Sequence, residues 1–250
     1  MVVMTRSKTN WQDWLEAAAA LVYPGICQIC RDQRSDAREG FVCTNCRSQV
    51  QTVRPPFCSR CGLPHDGDIT SNYECGNCLN QAFDFRYARA AVINKSVVQE
   101  ALRRFKYSGA VWFEPFLVEL LVNESISMLN PKDWDVIVPV PLHPVKQRTR
   151  GFNQAEILGR GLSQASGIKI NTTLLARHLP TPTQTTLARA ARLQNMHGAF
   201  RVKKGKRLDK QRVVLVDDIF TTGATTNACA KALKAAGSAE VCVWTVARGL

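Results

Sequence analysis

"VVLVDDIFTTGAT", residues 213–225, drives four apolar residues straight into two adjacent carboxylates, Asp217 and Asp218. Thr221, Thr222 and Gly223 follow, and then an alanine-rich segment of helical character. A strand that is apolar at every position, rather than at alternate ones, belongs to a sheet covered on both faces. In parallel sheets of that kind ligands bind beyond the carboxyl ends of the strands, which is where the acid pair falls. Unpaired carboxylates inside a sheet are heavily penalised, so this pair must face water, a cation or a polar ligand. Successive strand residues point to opposite faces. Both acids can therefore address one ligand only if the backbone leaves strand geometry there, and the expected strand ends at Asp218. Beyond it a helix N-terminus offers free N–H groups and a positive dipole to a phosphate. Gly223 lets backbone approach closely, and the threonines add hydroxyl donors. A phosphate close to a polyol or a metal is what such a site asks for, and a sugar phosphate meets both demands.

Outward from this stretch, strand-like and helix-like segments alternate. "ARAAVI", "WDVIVPVP" and "EVCVWTVAR" read as strands. "VVQEALRRFKY", "EPFLVELLVNESISML", "NQAEILGRGLSQAS" and "ATTNACAKALKAAG" read as helices. Alternation predicts an α/β fold, a parallel sheet joined by crossover helices. With 250 residues, 45% of them apolar, the chain can bury a proper core and is not disordered. No segment approaches the roughly 18 to 20 apolar residues that a membrane span needs. The early apolar run Ala17–Tyr23 follows Asp13 and Glu16 and reads as neither a secretory segment nor an anchor. A cytoplasmic protein without membrane insertion is expected.

Charge and cysteine divide the chain. Residues 1–80 hold eight Lys/Arg and eight Asp/Glu, so the net charge of +13 sits entirely in residues 81–250. Eight of the ten cysteines lie in the neutral part, as Cys27/Cys30, Cys43/Cys46, Cys58/Cys61 and Cys75/Cys78. Each pair encloses two residues; twelve residues separate the first pair from the second and 13 the third from the fourth. The pattern is a duplicated unit. Two such knuckles complete a tetrahedron around Zn²⁺, so two structural zinc ribbons are expected, with sequential ligation favoured over crossed. Four thiolates and one Zn²⁺ leave about −2 per site. The expected organisation is an N-terminal helix at 1–24, a double zinc ribbon at 25–80 and a basic α/β domain at 81–250. In the first segment Trp11, Trp14, Leu15, Ala18 and Leu21 recur at helical spacing behind a capping Asn10.

Residues 213–225 closely resemble the 5-phosphoribosyl-1-pyrophosphate (PRPP) motif of type I phosphoribosyltransferases. The resemblance implies a phosphoribosyltransferase-like parallel sheet with flanking helices. It also implies that Asp217 and Asp218 hold the ribose hydroxyls and stabilise the reacting sugar, while Thr221, Thr222, Gly223, Ala224 and Thr225 wrap the 5′-phosphate. Ile219 and Phe220 fall within the same run. "RRFKYSG", "VPVPLHPVKQRTRGFNQAEILGR" and "TQTTLARAARLQNMHGAF", behind a double zinc ribbon, resemble the ComF/ComFC competence proteins. That likeness covers nearly the whole chain. It implies single-stranded DNA binding in natural transformation, PRPP with Mg²⁺ as ligand, and partners such as the helicase ComFA and the recombination mediator DprA. The alternative reading is an active phosphoribosyltransferase of nucleotide salvage with an unknown acceptor. A PRPP-responsive regulator ranks third, because no helix-turn-helix pattern precedes the sheet.

Lys146, Arg148 and Arg150 follow the strand "WDVIVPVP" on what reads as a Pro- and Gly-bounded loop. Three cations there suit the pyrophosphate of PRPP, and Phe152, Asn153 and Gln154 would fix the loop to the next helix. "RVKKGKRLDKQR", residues 201–212, includes Lys203, Lys204, Lys206 and Arg207. With Arg103, Arg104, Lys106, Tyr107 and Trp112 it forms an expected nucleic-acid path, cations on phosphates and aromatic faces on bases. "TPTQTTLARAARLQN", residues 181–195, reads as a lid, from which Arg192 and Asn195 would reach the ligand. Cys229 and Cys242 read as core residues, and none of the four histidines sits at metal-like spacing.

Overall fold

The structure is a computed structural model that describes residues 25–68, 73–179 and 198–250. The expected N-terminal helix and the lid segment lie outside the described residues. Four strands, β1 (Ala88–Ile93), β2 (Val136–Pro139), β5 (Arg212–Phe220) and β6 (Glu240–Arg248), form one sheet in the order β1-β6-β5-β2. Every pairing in it is parallel. Two short strands, β3 (Leu175–Arg177) and β4 (Phe200–Val202), pair antiparallel beside it.

The pleat explains the continuous apolar run. Val214, Val216, Cys242, Trp244 and Val246 join the core on one face. There lie α3 (Ser96–Tyr107), α4 (Glu114–Ser125) and α6 (Gln154–Ser166). Val213, Leu215, Val241 and Val243 turn to the other face, into a core shared with α7 (Ala224–Ala235) and the β3–β4 pair. All four residues from Val213 to Val216 are wholly buried. A doubly covered α/β sheet is the observed fold class, as expected. Helices α4 and α6 cross closely because residue 161 is glycine; a Cβ there would run into the Val118 side chain.

The cysteine-rich segment is built onto both faces of this sheet. Its two short helices are α1 (Thr44–Arg47) and α2 (Gly76–Leu79). Cys27, Cys43 and Cys46 belong to the core under α3 and α4, whereas Cys58, Cys61, Cys75 and Cys78 belong to the core under α7. Thr52 bridges Val92 antiparallel, so the stretch between the two clusters runs along the edge strand β1. There the Val53 N–H donates to the Ala91 carbonyl at 3.0 Å, and the Ile93 N–H to Gln51 at 2.8 Å. Arg47 pairs with Glu119 at 2.7 Å and Arg54 with Glu124 at 3.2 Å, both across to α4. No helix among the described residues is long and apolar enough to cross a membrane.

Candidate functional site: two cysteine clusters and an acidic cleft

Cys27, Cys30, Cys43 and Cys46 form one cluster, and Cys58, Cys61, Cys75 and Cys78 a second, each with its ligand atoms within 4.8 Å of one another. Ligation is therefore sequential. Tetrahedral Zn–S bonds of about 2.3 Å put neighbouring sulfurs about 3.8 Å apart. The observed separations are 3.7 Å for Cys27–Cys46, 3.8 Å for Cys30–Cys43, and 3.7 Å for both Cys58–Cys78 and Cys61–Cys75. These donor sets fit Zn²⁺. The two knuckles are duplicates in detail: Cys43 caps α1 and Cys75 caps α2 with nearly the same backbone angles. Burial opposes ionisation of Cys58. Even so, backbone N–H groups at Cys61, Cys75 and Arg60 draw its thiol down to about 7, which favours the thiolate that a metal needs.

The acid pair occupies a notch that the sequence did not announce. Strand β2 stops at Pro139, opposite Val216, while β5 continues to Phe220 alongside β6. Beyond Val216, β5 has therefore lost its β2 neighbour, and its edge opens into a cleft. The strand does not end at Asp218, as its sequence suggests, but runs on to Phe220. Backbone pairing with β6 keeps β5 extended, and the missing strand, not a bend, gives both faces access. Val140, Pro141 and Leu142 floor the cleft, which has a volume of about 160 Å³ and is lined also by Lys106, Lys146, Arg150, Arg177, Asp217, Asp218 and Thr225.

The two carboxylates stand on opposite faces of the sheet end. Asp218 is 5% exposed and accepts an ion pair from Lys106 Nζ of α3 at 2.9 Å. Burial would lower the Lys106 ammonium, but Asp218 and then Asp217 outweigh it and leave its pKa raised. Asp217 turns the other way, and its Oδ1 accepts from the Asp218 N–H at 2.9 Å. Burial first, and the neighbouring Asp218 second, push the Asp217 carboxyl up to about 7. The folded chain thus keeps a proton between roughly pH 4 and pH 7 that the unfolded chain has released. Stability contributed by this group is greatest at low pH and falls as pH rises through that window. Asp217→Asn removes the penalty. At pH 8 the variant is expected to melt higher than the wild type by about 1 kcal/mol or more, about 2–4 °C. At pH 4 the difference should vanish, and an equal gain at both pH values in calorimetric melting would contradict the assignment.

The residues expected to wrap a phosphate lie beside the acids. Gly223 adopts the left-handed conformation (φ 79°) that starts α7, and a Cβ there would meet Phe220 at 2.7 Å. Thr222 Oγ1 accepts from the Ala224 N–H at 3.4 Å, while Thr221 is exposed and Thr225 lines the cleft. Ile219 and Phe220 turn their side chains into the two cores, so strand alternation leaves only their backbone near a ligand.

Lys146 and Arg150 do reach the cleft, but from a helix. The stretch expected as a loop is α5 (Pro144–Arg150), opened by proline behind a capping His143 and closed by Gly151 at φ 83°. Pro at the first position and Gly just past the last are helix punctuation, and that signal was in the sequence. Helical spacing puts residues 146 and 150 on one face and residue 148 away from it; Arg148 is exposed and does not line the cleft. Arg177 of β3 joins them, a residue the sequence reading missed because a short strand carries it. Burial first, then Arg177 and Arg150, depress the Lys146 ammonium. These cations repel one another in the absence of an anion. Asn153 caps α6 by accepting from the Ala155 N–H at 3.1 Å and donates to the Val140 carbonyl at 3.0 Å, which ties the cleft floor to that helix.

The expected nucleic-acid residues do not form one path. Lys106 is in the cleft. Arg104 donates to the Gln28 carbonyl and lies over the Phe113 ring at 5.3 Å, joining the first ribbon to α3. Arg103 pairs with Glu100 at 2.8 Å. Tyr107 is 65% exposed, with Arg150 over its ring at 5.4 Å. Lys203, Lys204, Lys206 and Arg207 are exposed at the opposite end of β5. They line a shallow groove of about 920 Å³ against the C-terminal end of α7. At about 3.3 Å per residue, the five steps from Arg212 to Asp217 place this groove about 16 Å or more from the acids.

One buried cation links the second cysteine cluster to the loop. Arg248 is 4% exposed and donates to the Phe220 and Thr221 carbonyls, both at 3.0 Å. Its other terminal nitrogen lies 3.7 Å from Cys61 Sγ, and its guanidinium lies over the Phe220 ring.

Sheet, clusters and cleft define a class: a double zinc ribbon built onto a parallel α/β sheet with a polar cleft at its carboxyl edge. Residues 18–79 match the double zinc ribbon domain family. Competence protein F of Haemophilus influenzae is 32% identical over 89% of this chain and 96% of its own length. The chain belongs to the competence protein F family. The DNA utilization protein YhgH of Escherichia coli is 29% identical over 92% of this chain and all of its own length. Competence protein ComFC of Bacillus subtilis is 27% identical over 79% and 80% respectively. Among solved structures, a purine phosphoribosyltransferase from Pyrococcus horikoshii aligns with 53% of this chain and 83% of its own at 18% identity and a TM-score of 0.34.

Proposed function

We propose that this protein binds single-stranded DNA in the cytosol during DNA uptake and carries a working phosphoribosyl site that takes PRPP with Mg²⁺. The observation that supports the sugar-phosphate half is the cleft. An acid pair, a threonine–glycine turn at the start of α7 and the cations Lys146, Arg150 and Arg177 converge there. Asp217 and Asp218 would accept from ribose hydroxyls, the 221–225 turn would take the 5′-phosphate, and the cations would offset the pyrophosphate. Bound Mg²⁺ would supply further charge neutralisation to that pyrophosphate. The DNA half draws on the relatives' names for competence and DNA utilization. It draws also on the groove of Lys203, Lys204, Lys206 and Arg207. Partners such as ComFA and DprA belong to the same reading.

Calorimetry of the full chain with Mg²⁺–PRPP, repeated with a single-stranded oligonucleotide present, tests both halves. A saturable one-to-one isotherm for PRPP and oligonucleotide binding that weakens with rising salt are expected. Absence of PRPP heat would remove the first half; an oligonucleotide ignored at moderate salt would remove the second. The cation set facing the sugar also suits a departing pyrophosphate, which favours active transfer as a second reading. Pyrophosphate release with a nucleobase acceptor would establish it, and binding without turnover would set it aside.

A further inference from the structure

We propose that Lys106 is a positioning residue of the sugar site and that it makes recognition of a phosphorylated pentose independent of divalent metal. This rests on the phosphoribosyl reading above and goes beyond it, because it names the ligand class and its metal requirement.

The geometry separates Lys106 from the other cations. Lys146 and Arg150 come from α5 and Arg177 from β3, and all three border the cleft. Lys106 comes from the last turn of α3 and pairs directly with Asp218 Oδ2 at 2.9 Å. The pair is nearly closed to solvent, with side chains 18% and 8% exposed. A carboxylate has about four lone-pair directions and an ammonium three donors. One contact between them leaves Asp218 able to accept from sugar hydroxyls and leaves Lys106 able to donate to a hydroxyl or phosphate oxygen. The lysine therefore fixes the carboxylate's direction without using it up.

Charge leads to the metal prediction. A buried carboxylate needs a compensating charge, and a bound metal ion is one way to supply it. Here the chain supplies that charge itself, covalently attached and held by a packed helix whose Phe105 is fully buried. The Lys106 ammonium already holds one carboxylate oxygen of Asp218, Oδ2, at 2.9 Å. A ligand that presents only ribose hydroxyls and a 5′-phosphate then finds acceptor, cation and phosphate turn already assembled. Metal is needed only by the pyrophosphate of PRPP.

The test uses ribose 5-phosphate as probe, titrated calorimetrically into the full zinc-loaded chain. It is run with millimolar Mg²⁺, and again after dialysis into metal-free buffer with zinc content checked afterwards. For the wild type, affinity is expected to agree within about 2-fold between the two conditions. Lys106→Met should lose about 10-fold or more without Mg²⁺, the worth of one hydrogen bond to a charged group, and regain part of it with Mg²⁺. Lys106→Arg should stay within about 3-fold of wild type, which a purely structural role for the lysine stem would not require. Wild-type binding that appears only with Mg²⁺ overturns the proposal, and so does Lys106→Met binding equal to wild type without metal. The wild-type comparison decides even if Lys106→Met fails to fold. Wild type that binds neither ribose 5-phosphate nor PRPP under either condition brings down the phosphoribosyl reading itself, a result distinct from the other two.

Discussion

Replacing Cys61 and Cys75 together by serine is expected to abolish cooperative folding. A four-thiolate zinc site contributes on the order of 10 kcal/mol or more, and the whole net stability of a domain is about 5–15 kcal/mol. The second cluster is no appendage whose loss the sheet would ignore. Cys58, Cys61, Cys75 and Cys78 are buried in the same core as Phe85, Phe220, Val213 and Leu215. Zinc analysis should fall from two equivalents to one or none, with a broad melting transition in circular dichroism. Cys229→Ala, equally buried but outside both clusters, should keep both zinc equivalents and lose only about 1–2 kcal/mol. A double variant that melts within a few degrees of wild type would show that apolar packing alone carries this face.

Asp217→Asn combined with Asp218→Asn is expected to reduce PRPP affinity by about 100-fold or more. Each lost hydrogen bond to a charged acceptor costs about 1.5–3 kcal/mol, and every 1.4 kcal/mol is about tenfold. Oligonucleotide affinity should change by less than about 3-fold, because the groove of Lys203, Lys204, Lys206 and Arg207 lies at the other end of β5. Calorimetry with each ligand gives both numbers. Retained PRPP binding would refute the assignment of the acids, and parallel loss of oligonucleotide binding would route DNA through the cleft.

Much of this was legible in the chain. The apolar run ending in Asp217 and Asp218 identified a covered parallel strand and the edge at which a ligand could sit, because burial on both faces and side-chain solvation are local requirements. Regular cysteine spacing likewise encoded two separate clusters, since each knuckle is a local turn. Side-chain partners were not legible. Lys106 is 112 positions from Asp218 in sequence, and its place among other cations and aromatics made it look like part of a DNA path. The notch that admits both acids is a difference in length between β2 and β5, which only their register reveals. The proline and glycine that flank Lys146, Arg148 and Arg150 suit a loop as well as the two-turn helix they in fact punctuate.

Arg248 has a consequence for the cell as well as for the fold. A single guanidinium fastens the sulfur of Cys61 to the carbonyls that shape the turn after β5. Whatever unseats those thiolates, zinc starvation or oxidants, would loosen the turn after β5 through the same side chain. Metal supply and the shape of that turn thus meet at one residue.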